Sequence, residues 1–233
     1  MLRLGIILFD TRRVKKNAEP VTIGNIAAAH ASRRGEILTR LREFENIWKF
    51  GADEDLWAEM VFCMFTGGCS AKMGFRSLSA VRPLIMEGSR AELASALTGV
   101  HRYPNERARY IAETRSFLVQ HCSSGLRQRL ESFADSQSRR DWLAGEKGIK
   151  GLGYKEASHF LRNIGFKGYA ILDKHVLRSM QEIGIIDEAT PPKGRASYIQ
   201  TEIKLKRFSD QVGIDFDELD LVLWSMKTGE IMK

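Results

Sequence analysis

Apolar residues recur at helical spacing along almost the whole chain. Intervals of three and four residues place apolar side chains on one face of an α-helix. Four such groups are Ile37, Leu41, Phe44 and Trp48; Trp57, Met60, Val61, Met64 and Phe65; Leu126, Leu130 and Phe133; and Phe216, Leu219, Val222, Leu223 and Met226. Only the run from Leu4 to Phe9 is typical of a strand, and one strand cannot form a sheet. The pattern therefore predicts an all-α fold.

Residues that favour helix ends agree with this interpretation. Ser89 followed by Glu92 matches the capping box, in which each side chain binds the backbone amide of the other residue. Gly99 lies where that helix should stop, and Gly229 follows the last apolar group in the same way. Helix boundaries are therefore predicted near residues 89, 99 and 229.

Charge and composition narrow the classes of protein that the chain can represent. The 233 residues include 36 basic and 29 acidic side chains, and the net charge of +7 favours an anionic partner such as nucleic acid. A hydrophobic content of 43% excludes wholesale disorder. The longest apolar run is too short to span a bilayer, so we expect a cytoplasmic protein without a membrane partner. Three cysteines are one short of a four-cysteine metal site, and we expect no metal or cofactor.

The segment from Gly151 to Gly153 carries the first candidate site. Two glycines flank Leu152 between two predicted helices, and glycine permits positive φ and close backbone approach. The amides at the start of the second helix would face an anion such as a DNA phosphate, with Coulomb attraction added by Lys150. A plain turn between two helices is the alternative, and the flanking pattern favours phosphate binding.

Lys155 and Asp173 form the second candidate site. Lys155 lies in the first turn of the second helix, where the helix dipole disfavours a cation and a neutral amine could form a Schiff base. A further phosphate-contacting lysine is the alternative. Asp173 precedes the next helix as an ordinary N-cap. The second helix would be roughly 14 Å long. The residues after it can stretch to about 26 Å, so the chain can turn back and place Asp173 near Lys155. There its carboxylate could accept a proton and stabilise positive charge on a sugar ring.

Three segments together resemble the helix-hairpin-helix DNA glycosylase superfamily, and most closely its archaeal-type class of 8-oxoguanine DNA glycosylase/lyases. They are residues 151–163, residues 171–175 and residues 223–233. The likeness extends from about Trp48 to the C-terminus. It implies a two-subdomain helical fold. Residues 1–22 would form a basic arm, residues 23–69 with 185–233 a terminal subdomain, and residues 70–184 a bundle with the hairpin at about 143–165.

The resemblance also implies an activity on double-stranded DNA that contains a damaged base. Lys155 would attack the anomeric carbon of a flipped 8-oxoguanine nucleotide, form a Schiff base and nick the strand by β-elimination. Asp173 would assist, and the Gly151–Gly153 hairpin would hold a phosphate. We expect a monomer that acts at the nucleoid. Two alternatives stay open, namely a non-catalytic hairpin module that binds DNA and a glycosylase for another damaged base.

The resemblance further implies a pocket for the flipped base near the end of the chain. Its candidates are Trp224, Tyr103 and the terminal carboxylate of Lys233. A tryptophan in the helical core is the alternative for Trp224. Similar enzymes carry Thr-Ala-Asn where this chain has residues 66–68, Thr-Gly-Gly, which changes the expected reading of the opposite base. Arg162 and Lys174 are candidates for phosphate contact or for a solvated surface.

Overall fold

The computed structural model describes residues 20–122 and 125–232, and within them the fold is entirely helical, as predicted. The strand-like run Leu4 to Phe9, and all of the predicted arm but its last residues, lie outside these ranges. The helices are α1 Ile23–Phe50, α2 Asp53–Thr66, α3 Ala71–Val81, α4 Arg90–Leu97, α5 Pro104–His121, α6 Leu126–Glu131, α7 Ser136–Gly145, α8 Tyr154–Asn163, α9 Lys174–Glu182, α10 Gly194–Val212 and α11 Phe216–Thr228.

The predicted helix ends are confirmed. Ser89 caps α4, with Glu92 N donating to Ser89 Oγ at 3.3 Å and Ser89 N donating to Glu92 Oε2 at 2.8 Å. Gly99 has a φ of +76° just beyond this helix, and Gly229 ends α11 with a φ of +81°. Glycine is favoured at both positions because a side chain is strained at positive φ.

Two hydrophobic clusters hold the helices together. The first is built by α2 through α8, with Phe62, Phe65 and Phe160 fully buried. The second is built by α1, α9, α10 and α11 around side chains such as Leu205 and Leu223. Each large apolar side chain buried in this way contributes about 1.5–3 kcal/mol to the free energy of unfolding. The C-terminal end of α1 also packs against the first cluster, so α1 joins the two.

The clusters divide the chain differently from the predicted subdomains at two helices. Helix α2 belongs to the first cluster although its residues fall in the predicted terminal subdomain. Helix α9 belongs to the second cluster although its residues fall in the predicted bundle. The reason for α2 is that it is buried on nearly every side, as residues 56–66 show. The chain passes from one cluster to the other between α8 and α9, where the functional candidates lie.

None of the helices described is long and apolar enough to cross a membrane.

Candidate active site

A cleft of about 760 Å³ lies at the junction of the two clusters. The first cluster contributes the end of α2, the start of α3 and one face of α8. The second contributes the start of α9, part of α11 and the segment that follows it. Lys155, Asp173 and Trp224 all line this cleft, so the fold brings three of the predicted site residues to one cavity.

The hairpin that leads into the cleft is held in a single tight conformation. Gly151 has a φ of +74°, and a Cβ added there would lie 2.5 Å from Tyr110 Cδ2. Leu152 is 6% exposed and packs in the first cluster below the turn. Gly153 is the N-cap of α8 at a φ of −88°, a value that any residue adopts. Gly151 is therefore required by the fold, whereas the free protein has no such need for Gly153.

Backbone amides are exposed to a ligand at the start of α8. Ala157 N donates to Gly153 O at 2.8 Å and is the first amide of this helix with an acceptor among the described residues. The preceding amides carry the partial positive charge of the helix N-terminus. Lys150 fixes the loop through its own amide, which donates to Thr114 Oγ1 at 2.8 Å. The arrangement suits a phosphate, as expected for such a terminus.

Lys155 is three-quarters buried and forms an ion pair. Its Nζ lies 2.9 Å from Glu156 Oε1, and the two side chains are 24% and 15% exposed. Sequence reasoning had considered Asp173 as the partner of this amine and had missed Glu156. The signal was present, because Glu156 stands three residues after the N-cap Gly153, where acidic side chains stabilise a helix N-terminus.

Asp173 is the N-cap of α9, as the sequence predicted. Its Oδ1 accepts from His175 N at 2.8 Å and from Val176 N at 2.9 Å. Both capping bonds therefore use the same oxygen. This leaves Oδ2 available to a group that enters the cleft.

The extended segment before Asp173 is held by side chains from α10 and α11. Ala170 N donates to a carboxylate oxygen of Glu202 at 2.9 Å, Ile171 N to Asp220 Oδ1 at 3.1 Å, and Leu172 N to the hydroxyl of Tyr198 at 3.3 Å. Because buried amides require partners, this segment has little freedom to shift.

Arg162 is buried beneath the cleft, which corrects the expectation of a phosphate contact or a solvated surface. Its Nη1 lies 3.1 Å from Asp220 Oδ2, and its guanidinium stands 5.0 Å from the centre of the Phe44 ring. The side chain points inward, where it meets Phe44 of α1 and Asp220 of α11. Burial raises the pKa of Asp220 to about 6 and lowers that of Arg162. Lys174, in contrast, is exposed on the cleft wall.

Of the two base-pocket candidates that the structure describes, Trp224 lies in the cleft and Tyr103 does not. Trp224 is half-buried in the cleft, and its ring meets the ring of His175 nearly edge to face at a centroid distance of 6.4 Å. Tyr103 is the N-cap of α5, is 41% exposed and is not among the residues that line the cleft. The guanidinium groups of Arg102 and Arg107 lie 5.1 and 5.7 Å from its ring centre. Lys233 lies outside the described residues.

The described residues contain no cluster of side chains suited to binding a metal ion. Across residues 20–122 and 125–232, no group of three or more His, Cys, Asp or Glu residues could hold an ion. Cys63 and Cys122 are buried as single thiols, and Cys69 is partly exposed at the cleft.

The all-helical fold and the hairpin cleft define the class of helix-hairpin-helix DNA glycosylases. A family model described as 8-oxoguanine DNA glycosylase matches residues 37–214. A similar protein from Korarchaeum cryptofilum, named 8-oxoguanine DNA glycosylase/AP lyase, is 41% identical over 91% of this chain and 97% of its own length. The chain therefore belongs to the 8-oxoguanine DNA glycosylase family.

Solved structures agree with this assignment. The 8-oxoguanine glycosylase/lyase of Methanocaldococcus jannaschii, in complex with a 15mer DNA containing 8-oxoguanine, has a TM-score of 0.82 and is 33% identical, over 91% of this chain and 99% of its own. The 8-oxoguanine DNA glycosylase of Thermotoga maritima has a TM-score of 0.81 and is 33% identical, over 91% of this chain and 98% of its own.

Proposed function

We propose that this protein removes 8-oxoguanine from double-stranded DNA and then nicks the abasic strand. The observation that carries the proposal is the position of Lys155, which lies in a partly buried cleft at the start of the helix after the hairpin and shares that cleft with Asp173. Family membership supports the same activity, since the relatives are named for both the glycosylase and the lyase reaction.

Lys155 is the proposed nucleophile. The neutral amine attacks the anomeric carbon, and the electron pair of the glycosidic bond leaves with the base. Opening of the sugar ring then gives a Schiff base, from which β-elimination breaks the strand. Asp173 stabilises the positive charge that grows on the sugar, because it lines the cleft and its helix cap fixes the carboxylate in place.

DNA would bind through the hairpin and through the walls of the cleft. The amides at the start of α8 would bind a phosphate together with Gly151, Leu152, Gly153 and Lys150. The target nucleotide must leave the base stack to reach Lys155. We propose Trp224, which lines the cleft, as a stacking partner for the flipped base, and Tyr103 as a further contact.

Borohydride trapping tests the proposal directly. Reduction of a Schiff base links the protein covalently to a duplex with a single 8-oxoguanine. We expect an adduct with the unaltered protein, none with Lys155→Gln, and an unchanged adduct with Lys204→Gln, which removes an exposed lysine of α10 outside the cleft. Absence of an adduct with intact DNA affinity would instead identify a non-catalytic binding module.

A panel of duplexes, each with one damaged base, tests the substrate. We expect the fastest excision for 8-oxoguanine. If another base, such as an alkylated purine, is released faster, the proposed reaction stands but 8-oxoguanine is not the preferred substrate. We further propose that the protein acts as a monomer, in the cytoplasm on DNA of the nucleoid.

A further inference from the structure

Glu156 contacts the amine of Lys155 directly, and the sequence pattern did not predict this contact. Among the described residues, Glu156 supplies the one carboxylate within 4.0 Å of Lys155 Nζ, at 2.9 Å. Asp173 lines the same cleft but lies beyond this range, and its Oδ1 is engaged by α9. The two carboxylates therefore occupy different positions relative to the amine.

We propose that Glu156 is a second catalytic carboxylate, which accepts a proton from Lys155 and returns it to the departing base. This inference rests on the proposed function. The two carboxylates then have different roles. Glu156 accepts and returns the proton of the nucleophile, and Asp173 stabilises the positive charge on the sugar.

The surroundings of the Glu156 carboxylate suit this role. A Cβ added at Gly67 would lie 3.4 Å from Oε1, and one added at Gly153 would lie 3.4 Å from Oε2. The carboxylate thus lies next to two glycines, and the Glu156 side chain is only 15% exposed before DNA binds. Its burial beside Nζ keeps the two groups in contact.

Closure of the cleft by DNA would drive the proton transfer. An ion pair removed from water loses hydration that its mutual attraction does not always restore. Transfer of the proton from Nζ to Oε1 converts the pair into a neutral amine and a neutral carboxylic acid, which need less hydration. The proton would therefore move when the substrate displaces water from the cleft.

The proposed step balances in atoms and charge. The Nζ lone pair freed by this transfer forms the bond to the anomeric carbon, while the glycosidic electron pair leaves with the base. The carboxylic acid of Glu156 then protonates that base. The products are a secondary ammonium on the sugar, a neutral base and the original carboxylate, so no further reactant is required.

The test is single-turnover excision of 8-oxoguanine from about pH 5 to pH 10, with borohydride trapping at each pH, for the protein and its Glu156→Gln variant. General acid–base catalysis supplies 10²- to 10⁴-fold, so we expect excision near pH 7 to fall by about 10²-fold. The rate of the variant should rise as the pH increases, because hydroxide then removes the proton that Glu156 no longer accepts. DNA affinity should stay near its original value.

Two further variants separate catalysis from structure. Glutamine also suits the third position of a helix, so Glu156→Gln should lower the melting temperature by only about 2–4 °C. Glu156→Asp restores a carboxylate and should recover part of the rate at neutral pH, whereas Glu131→Gln alters an exposed acid of α6 outside the cleft and should have no effect on the pH profile. If excision by Glu156→Gln follows the original rate and pH profile, the inference is overturned. Failure of the unaltered protein to form an adduct would instead overturn the proposed function.

Discussion

Arg162 of α8 and Asp220 of α11 form an ion pair beneath the cleft, with Nη1 and Oδ2 3.1 Å apart and both side chains almost fully buried. The pair connects the helix that carries Lys155 to the helix that carries Trp224. Because Asp220 also accepts from Ile171 N, it fixes the segment that leads to Asp173. One buried carboxylate thus sets the relative positions of all three groups.

Removal of Arg162 should destabilise the whole protein. Arg162→Met leaves Asp220 buried without its counter-ion, a change that typically costs about 3–5 kcal/mol. The matched control is Arg34→Met, because Arg34 pairs with Glu218 while 57% exposed, and such pairs contribute at most about 1 kcal/mol. Urea denaturation measures the loss of unfolding free energy in each of the two variants. Equal losses would mean that the buried pair has no special role.

Asp220 should make the free energy of unfolding depend on pH. Burial raises the pKa of Asp220 from 3.8 to about 6, so the folded state holds this proton more tightly than the unfolded state. The favourable contribution of the neutral acid is complete below about pH 4 and is lost as the pH rises through 6. Linkage places the loss at about 2–3 kcal/mol.

Asp220→Asn removes this titration and provides the comparison. The difference in unfolding free energy between the protein and this variant should change between pH 4 and pH 7 and stay constant above pH 7. Urea denaturation at each pH gives the difference curve, which cancels the titration of groups common to both proteins. A difference that is constant from pH 4 to pH 7 would show that Asp220 keeps an ordinary affinity for its proton.

Asp173→Asn should separate catalysis from helix capping. The amide oxygen of asparagine accepts the same bonds from His175 N and Val176 N, and the two residue types cap helices almost equally well. We therefore expect a stability change below about 1 kcal/mol. Excision should fall by roughly 10²-fold or more, because the charge that stabilises the sugar is lost. Asp135→Asn alters the cap of α7 in the same way and should leave excision intact. Equal loss of binding and turnover would reduce Asp173 to a cap.

The two hairpin glycines should respond differently to alanine. Gly151→Ala introduces a side chain at a φ of +74° and against the ring of Tyr110, so we expect a loss of about 2 kcal/mol in stability. Gly153→Ala meets only Glu156 Oε2 at 3.4 Å and should fold normally. Its added methyl group obstructs the phosphate, so DNA affinity should fall by about tenfold or more. Thermal melting and DNA titration distinguish the two effects, and unchanged affinity in Gly153→Ala would argue against phosphate binding at this turn.

The sequence predicted features that depend on local pattern. The helical period, the capping box of Ser89 with Glu92 and the glycine turn around Leu152 follow from short-range spacing, and each is found in the structure. Such features are set by backbone geometry within a few residues. The all-α class could therefore be derived without tertiary information.

Relationships between distant segments were not accessible in the same way. Arg162 is an ordinary polar residue in the sequence, and only the tertiary fold buries it between Phe44 of α1 and Asp220 of α11. Helix α2 packs in the first cluster, which could not be predicted because the period of a helix does not say which cluster it joins. The positions of Lys155 and Glu156 at a helix start can be read from the sequence, but the contact between their side chains depends on the direction of both.

An ion pair across the mouth of the cleft gives the last prediction. Lys72 Nζ at the start of α3 lies 2.8 Å from Glu230 Oε1 in the segment after α11, and both residues line the cleft. The side chains are 62% and 38% exposed, so the pair adds at most about 1 kcal/mol to stability. We expect its main effect to be placement of the segment that follows Thr228 against the cleft.

Reversal of the two charges tests this placement. Lys72→Glu opposes Glu230 and should displace the segment, which would slow single-turnover excision while the melting temperature hardly changes. The reversal also weakens attraction to DNA, so a slower rate in the single variant is not sufficient. The double variant Lys72→Glu with Glu230→Lys restores the pair in the opposite direction and should recover excision at saturating protein. If the double variant is as slow as Lys72→Glu alone, the two residues act independently and the ion pair does not position the segment.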